Sequence, residues 1–144
     1  MKDKYDLQRF IKEQQRTYST AYVELSQGRK RSHWMWWIFP QVVGLGMTAT
    51  SHKYSIKSMD EAKAFLGHPY LGKNIREISN VLLGLDANDA SRVMGYPDDL
   101  KLRSSMTLFA EAAPDEKVFQ KVLDKFYDGK KDERTLTILK ELEK

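Results

Sequence analysis

Two short stretches hold the residue types best suited to chemistry. Residues 30–41 read KRSHWMWWIFPQ and residues 97–109 read PDDLKLRSSMTLF. In the first, the three tryptophans of the chain, Trp34, Trp36 and Trp37, follow two cations and a histidine. Indole faces stack on flat rings and attract cations. Lys30 and Arg31 supply charge for an anion, and His33 can move a proton near neutral pH. A ring beside a phosphate is the outline of a nucleotide. At helical spacing Trp34 and Trp37 lie close together while Trp36 points away, so the indoles do not all fill one core slot. Trp37 with Ile38 suits the core; Trp36 with His33, Lys30 and Arg31 suits a site. The competing reading makes the whole run core, the usual fate of aromatic side chains.

In the second stretch, Asp98, Lys101 and Ser105 fall on one flank of a Leu102–Met106–Phe109 stripe. Such a flank is either a satisfied structural network or a cleft wall of donors and acceptors. Arg103 and Ser104 are expected to face solvent or the partner side, and Asp98 or Asp99 to stabilise a helix N-terminus. A Ser–Lys pair raises nucleophilic catalysis, but no oxyanion hole can be read, so no catalytic residue is assigned.

Other chemistries find little support. His33, His52 and His68 include no pair at i,i+4 with a carboxylate beside it, and no metal site is expected. Gly44-Leu45-Gly46 lacks the rest of a dinucleotide fingerprint and reads as a hinge. There is no GxxxxGK[ST] and no GxSxG. No cofactor is assigned.

The elements that must position these residues are helices. Leu7, Phe10, Ile11, Tyr18, Ala21 and Leu25 recur at three- and four-residue steps, with Gln14 inside the stripe and Gly28 as a stop. A buried amide needs partners, so Gln14 joins a polar network or lines a cavity. Ser32 is expected to cap a short helix ended by Pro40, with a strand as the alternative for this apolar run. Residues 41–56 read as a loop, and Ser58 with Glu61 as a capping box. Leu71, Ile75, Ile78 and Leu82 form a core stripe, and Val118, Val122 and Phe126 another. No stretch alternates convincingly at period two. The reading is a single all-α domain over residues 1–144, of about six to eight helices.

Composition agrees with this. At 144 residues the chain can bury a core without covalent staples, and it has no cysteine, which excludes disulfides and thiolate chemistry. The basic, charge-alternating start lacks an apolar signal core, and no apolar run is long enough to span a bilayer, so a cytoplasmic protein is expected. Residues 1–53 hold 9 Lys/Arg against 4 Asp/Glu and residues 54–144 hold 15 against 16, so the excess of the +4 net charge lies around the tryptophans. That favours an anionic partner there, although a solvated basic face explains it equally.

Gly28, Lys30, the run Ser32-His33-Trp34-Met35-Trp36 and Ile38-Phe39-Pro40-Gln41 resemble the signature of domain of unknown function family 1810. Phe10, Gln14, Tyr18, Glu24 and Leu25 fit the helix before that signature, and residues 98–109 fit its second motif. Trp37 departs slightly, since similar proteins tend to have Phe there. The resemblance covers nearly the whole chain. It implies a small, mainly helical, cytoplasmic bacterial protein, and brings no catalytic residues with it.

Two functions compete. The first is a binding domain, with catalysis left open, for a nucleotide-like or phosphorylated small molecule. Its candidate residues are Gln14, Lys30, Arg31, His33, Trp34, Trp36, Gln41, Asp98, Lys101 and Ser105. The second is a non-catalytic interaction module, with the Trp-rich helix docking a protein or a second copy as a homodimer. Nucleic-acid binding ranks third and a membrane is not expected.

Overall fold

The structure, a computed structural model, describes residues 3–144. Its helices in chain order are α1 (Gln8–Ser26), α2 (Met35–Ile38), α3 (Ala49–Lys53), α4 (Met59–Gly67), α5 (Pro69–Leu83), α6 (Ala90–Met94), α7 (Asp98–Ala112), α8 (Lys117–Tyr127) and α9 (Glu133–Leu142). The all-α domain expected from periodicity is present. Among the described residues the helix total reaches nine because α3 forms inside the segment read as a loop. Thr48 and Ser51 close a reciprocal capping box there, which lets a polar five-residue turn stand as a helix.

α1 starts without a cap from Leu7, but the Asp3 carboxylate accepts the Leu7 and Gln8 N–H groups at 2.8 Å each. It stops at Gly28, whose φ of +82° is the left-handed turn that glycine adopts at no steric cost. α5 begins with Pro69 in its first turn, and the His68 Nδ1 accepts the Tyr70 and Leu71 N–H groups. Ser58 caps α4 as expected, by accepting the Glu61 N–H. The Glu61 side chain does not complete the box; it takes the Lys57 N–H and pairs with Arg9 at 2.7 Å.

α1 lies on α5 and α2, while α4 and α8 each pack against both α5 and α7. Phe10, Phe65, Phe109 and Phe119 form one aromatic row through α1, α4, α7 and α8, with successive centroids 5.2, 5.4 and 5.8 Å apart. All four are fully buried, each contributing about 1.5–3 kcal/mol by removal from water. The predicted α5 stripe, Leu71, Ile75, Ile78 and Leu82, is buried in the same continuous core. At Gly72 an added Cβ would stand 2.0 Å from the Leu66 carbonyl oxygen, so the α4–α5 corner admits only glycine.

α7 is covered on nearly every side: α4, α6, α8 and α9 all contact it. Residues 104–110 are consequently buried, including Ser104 and Ser105. Its first turn, the flank near Lys101 and Arg103, and Glu111 in its last turn reach the surface. Among the described residues no helix is long and apolar enough to cross a membrane.

Candidate functional site

The segment between α1 and α2 is held from both sides. Glu24, in the last turns of α1, accepts the Arg31 N–H (2.8 Å), the Ser32 N–H (3.1 Å), the Ser32 hydroxyl (2.5 Å) and the Trp34 Nε1–H (2.9 Å). Burial pushes this carboxyl up, but hydrogen bonds from the Ser32 hydroxyl, the Arg31 N–H, the Trp34 indole and the Ser32 N–H outweigh it and hold the pKa at about 2. Ser32 does not cap α2. It stands two residues before Trp34, the N-cap position, and α2 starts at Met35 with no side-chain cap. On the other side, the Lys30 N–H donates to the Val93 carbonyl at 2.7 Å.

Held this way, the segment alternates. The Lys30 side chain turns inward and is 7% exposed; its ammonium lies 2.9 Å from Asp98, 4.8 Å from the Trp34 ring centroid, and donates to the Ser32 carbonyl at 2.5 Å. Arg29 and Arg31 turn outward and are exposed. Trp34 is buried. Trp37 is half-buried, stacks edge-on against Tyr54 at 5.2 Å, and donates its indole N–H to the Thr17 hydroxyl at 2.8 Å. Gln14 holds α2 from below: its amide donates to the Trp37 carbonyl at 2.8 Å and accepts from Asn74 at 2.9 Å.

Trp36 faces a cleft of about 450 Å³, within the size range of small-molecule sites. Trp36 and Gln41 form one wall, and Leu45, Gly46, Met47 and Thr48 a second. Leu100, Lys101, Arg103 and Ser104 from α7 stand opposite, with Asp132 and Arg134 at the start of α9. The Val42–Ile56 bridge, with hydrogen bonds of 2.8 and 2.9 Å, anchors both ends of the loop that carries Met47. Under the same loop lies a smaller depression of about 110 Å³ that shares Trp36, Gln41 and Leu45 and adds His52, Tyr54 and Ser55.

The cleft is cationic. The Lys101 ammonium sits 4.9 Å from the Trp36 ring centroid and 3.5 Å from Asp98, a carboxylate it shares with Lys30. Arg103 donates Nε and Nη2 to the Lys130 and Lys131 carbonyls at 2.8 and 2.9 Å, leaving Nη1 without a protein acceptor among the described residues. Among the described residues the Arg134 guanidinium makes one hydrogen bond, donating Nη2 to the Gly44 carbonyl at 3.5 Å. The one carboxylate lining the cleft, Asp132, is occupied as the cap of α9. Its Oδ2 accepts from the Thr135 N–H, the Thr135 hydroxyl and the Ser104 hydroxyl.

The structure thus brings Trp36, Gln41 and Lys101 of the sequence candidates together, with Asp98 behind Lys101. It places Gln14, Lys30 and Trp34 in the supporting interior, and Ser105 is fully buried with no partner for its hydroxyl among the described residues. His33 is exposed and lines neither depression, and Arg31 lies elsewhere on the surface. Arg103 and Ser104 do not simply face solvent, because α9 and the turn before it dock on them. Arg134, Asp132 and Met47 were not singled out from the sequence. The GLG hinge is the one local signal that pointed at their neighbourhood.

The family described as protein of unknown function (DUF1810) matches residues 4–139, and the chain belongs to it. The crystal structure of the conserved hypothetical protein Rv1873 from Mycobacterium tuberculosis is similar throughout: 42% identity, a TM-score of 0.94, and coverage of 96% of this chain and 99% of that one. No curated protein matches the chain.

Proposed function

We propose that this member of the family binds a nucleotide-like or otherwise phosphorylated small molecule in the cleft beside Trp36. The supporting observation is the Lys101 ammonium 4.9 Å from the Trp36 ring, in a cleft that Arg103 and Arg134 also line. A flat ring stacks on the indole, and Lys101, displaced from that face, meets the phosphate together with Arg134 and the free Nη1 of Arg103. Gln41 supplies an amide to orient the ring. The Ser104 hydroxyl is engaged with a carboxylate that caps α9, so the proposal carries no catalytic step. We place the protein in a bacterial cytoplasm, where phosphorylated metabolites are held; the mycobacterial source of the similar structure supports the bacterial part.

A thermal-shift screen of nucleoside phosphates and sugar phosphates tests this. A true ligand at 100-fold over its Kd stabilises the fold by about 2.7 kcal/mol. Lys101→Gln and Arg134→Gln should each weaken it by about tenfold, the loss of one charge-assisted contact. If no phosphorylated compound stabilises the protein, or both variants bind the hit unchanged, the cleft is not its site.

A second reading rests on the rim. Met47 is 99% exposed and Leu100 50%, and both line the cleft, which suits an apolar segment of a partner or a second copy. The Trp-rich helix would contribute Trp36 alone to that surface.

A further inference from the structure

The cations at residues 29–31 serve two different places. Lys30 is drawn inward to Asp98, whereas Arg29 and Arg31, two residues apart, are exposed. The Lys30 N–H bond to the Val93 carbonyl lays this segment beside α6 and so beside Arg92. Arg29, Arg31 and Arg92 line one depression of about 370 Å³, together with Gly28 and Ser91. It shares no residue with the cleft. None of the three guanidiniums has an ion-pair or hydrogen-bond partner among the described residues.

Three of the nearby carboxylates are committed to other donors, and a fourth, Asp86, forms no ion pair with Arg92 among the described residues. Glu24 takes the Arg31 and Ser32 N–H groups, the Ser32 hydroxyl and the Trp34 indole; Asp89 takes the Ser91 and Arg92 N–H groups as the cap of α6; Asp99 takes the Ser91 hydroxyl at 2.6 Å. None of these bonds reaches a guanidinium. Three like charges are therefore gathered on two mutually pinned segments, each with a planar donor fork of the kind that grips phosphate bidentately. Arg92 also borders a second depression, of about 490 Å³, lined by Leu85, Asp86 and Ala87. It offers room for whatever a phosphate is attached to.

We infer that Arg29, Arg31 and Arg92 form a second anion site, independent of the cleft, for the terminal phosphate or diphosphate group of a small molecule. Titrating 15N-labelled protein with inorganic phosphate and with pyrophosphate, at constant ionic strength, tests it. Saturable shifts are expected at the amides of Gly28, Arg29, Arg31, Ser91 and Arg92, larger in affinity for pyrophosphate. The double variant Arg31→Gln/Arg92→Gln should raise the apparent Kd at least about tenfold. Both side chains are exposed, so its melting temperature should hold. Arg31→Lys/Arg92→Lys keeps the charge and loses the fork, and should bind more weakly than the parent. Lys101→Gln should leave these shifts untouched, which separates failure here from failure of the cleft. Shifts that never saturate, shifts that chloride reproduces, or Lys variants that bind as tightly as Arg would overturn the site.

Discussion

The Lys30 ammonium and the Asp98 carboxylate meet at 2.9 Å, side chains 7% and 20% exposed, and so tie the two motifs into one wall. The Trp34 ring covers Lys30 and Lys101 shares Asp98 from the solvent side.

Removing one partner strands the other. Asp98→Leu leaves a buried ammonium with only the Ser32 carbonyl and an aromatic face, and should cost about 2–4 kcal/mol, since Asp98 keeps some solvent. The double change Lys30→Met/Asp98→Leu should cost less than the two single changes together by at least about 1 kcal/mol. Urea unfolding of the four proteins measures this coupling. Strict additivity would mean the pair is not a unit.

Glu24 should make stability acid-sensitive. Its carboxyl has a folded pKa of about 2 against an ordinary 4.5. A depressed acid stabilises fully above the unfolded value and loses that contribution as pH falls through the folded one, so the loss runs from about pH 4.5 to about pH 2. After discounting for solvent screening, Glu24→Gln should cost about 1–2 kcal/mol at pH 7. It should also flatten the unfolding midpoint across that acid window. Parallel pH curves for parent and variant would rule out this role.

Gln14 tests the interior. Gln14→Leu leaves the Trp37 carbonyl and the Asn74 amide unpaired, and each orphaned group costs about 1–3 kcal/mol. Thermal unfolding should show that loss, and tryptophan emission should move to the red as α2 loosens. A stable variant with unchanged emission would show that Gln14 does not hold the Trp helix.

The rim separates the two readings of the cleft. We expect a monomer by sedimentation velocity at every concentration, and Met47→Glu within about 0.5 kcal/mol of the parent stability, as for exposed positions generally. Concentration-dependent mass abolished by Met47→Glu or Leu100→Glu would favour the interaction surface instead.

Local patterns reached some of this. The α5 stripe was legible because four apolar residues at helical spacing can share only one face. Gln14 was legible as a problem, an amide in an apolar stripe, but its two partners lie 23 and 60 residues away. The Ser32 cap failed because α2 begins at Met35, which puts the N-cap at Trp34 and leaves the Ser32 hydroxyl donating to Glu24, one helix earlier. Arg103 and Ser104 read as facing solvent or a partner; both line the cleft, and the docking of α9 and the turn before it also ties Arg103 to the Lys130 and Lys131 carbonyls and Ser104 to Asp132.

The sequence by itself determined the helical class, much of the core and the two stretches that hold the aromatic and charged residues. These depend on periodicity and residue type, which act within a few turns of chain. Only the tertiary structure decided which cations face the cleft. Lys30 and Arg31 are neighbours, yet backbone hydrogen bonds to Glu24 and Val93 turn one toward Asp98 and the other toward Arg92's side of the molecule. Arg134 reaches the same cleft from the far end of the chain. Such choices are set by contacts between distant segments, and spacing along the chain carries no record of them.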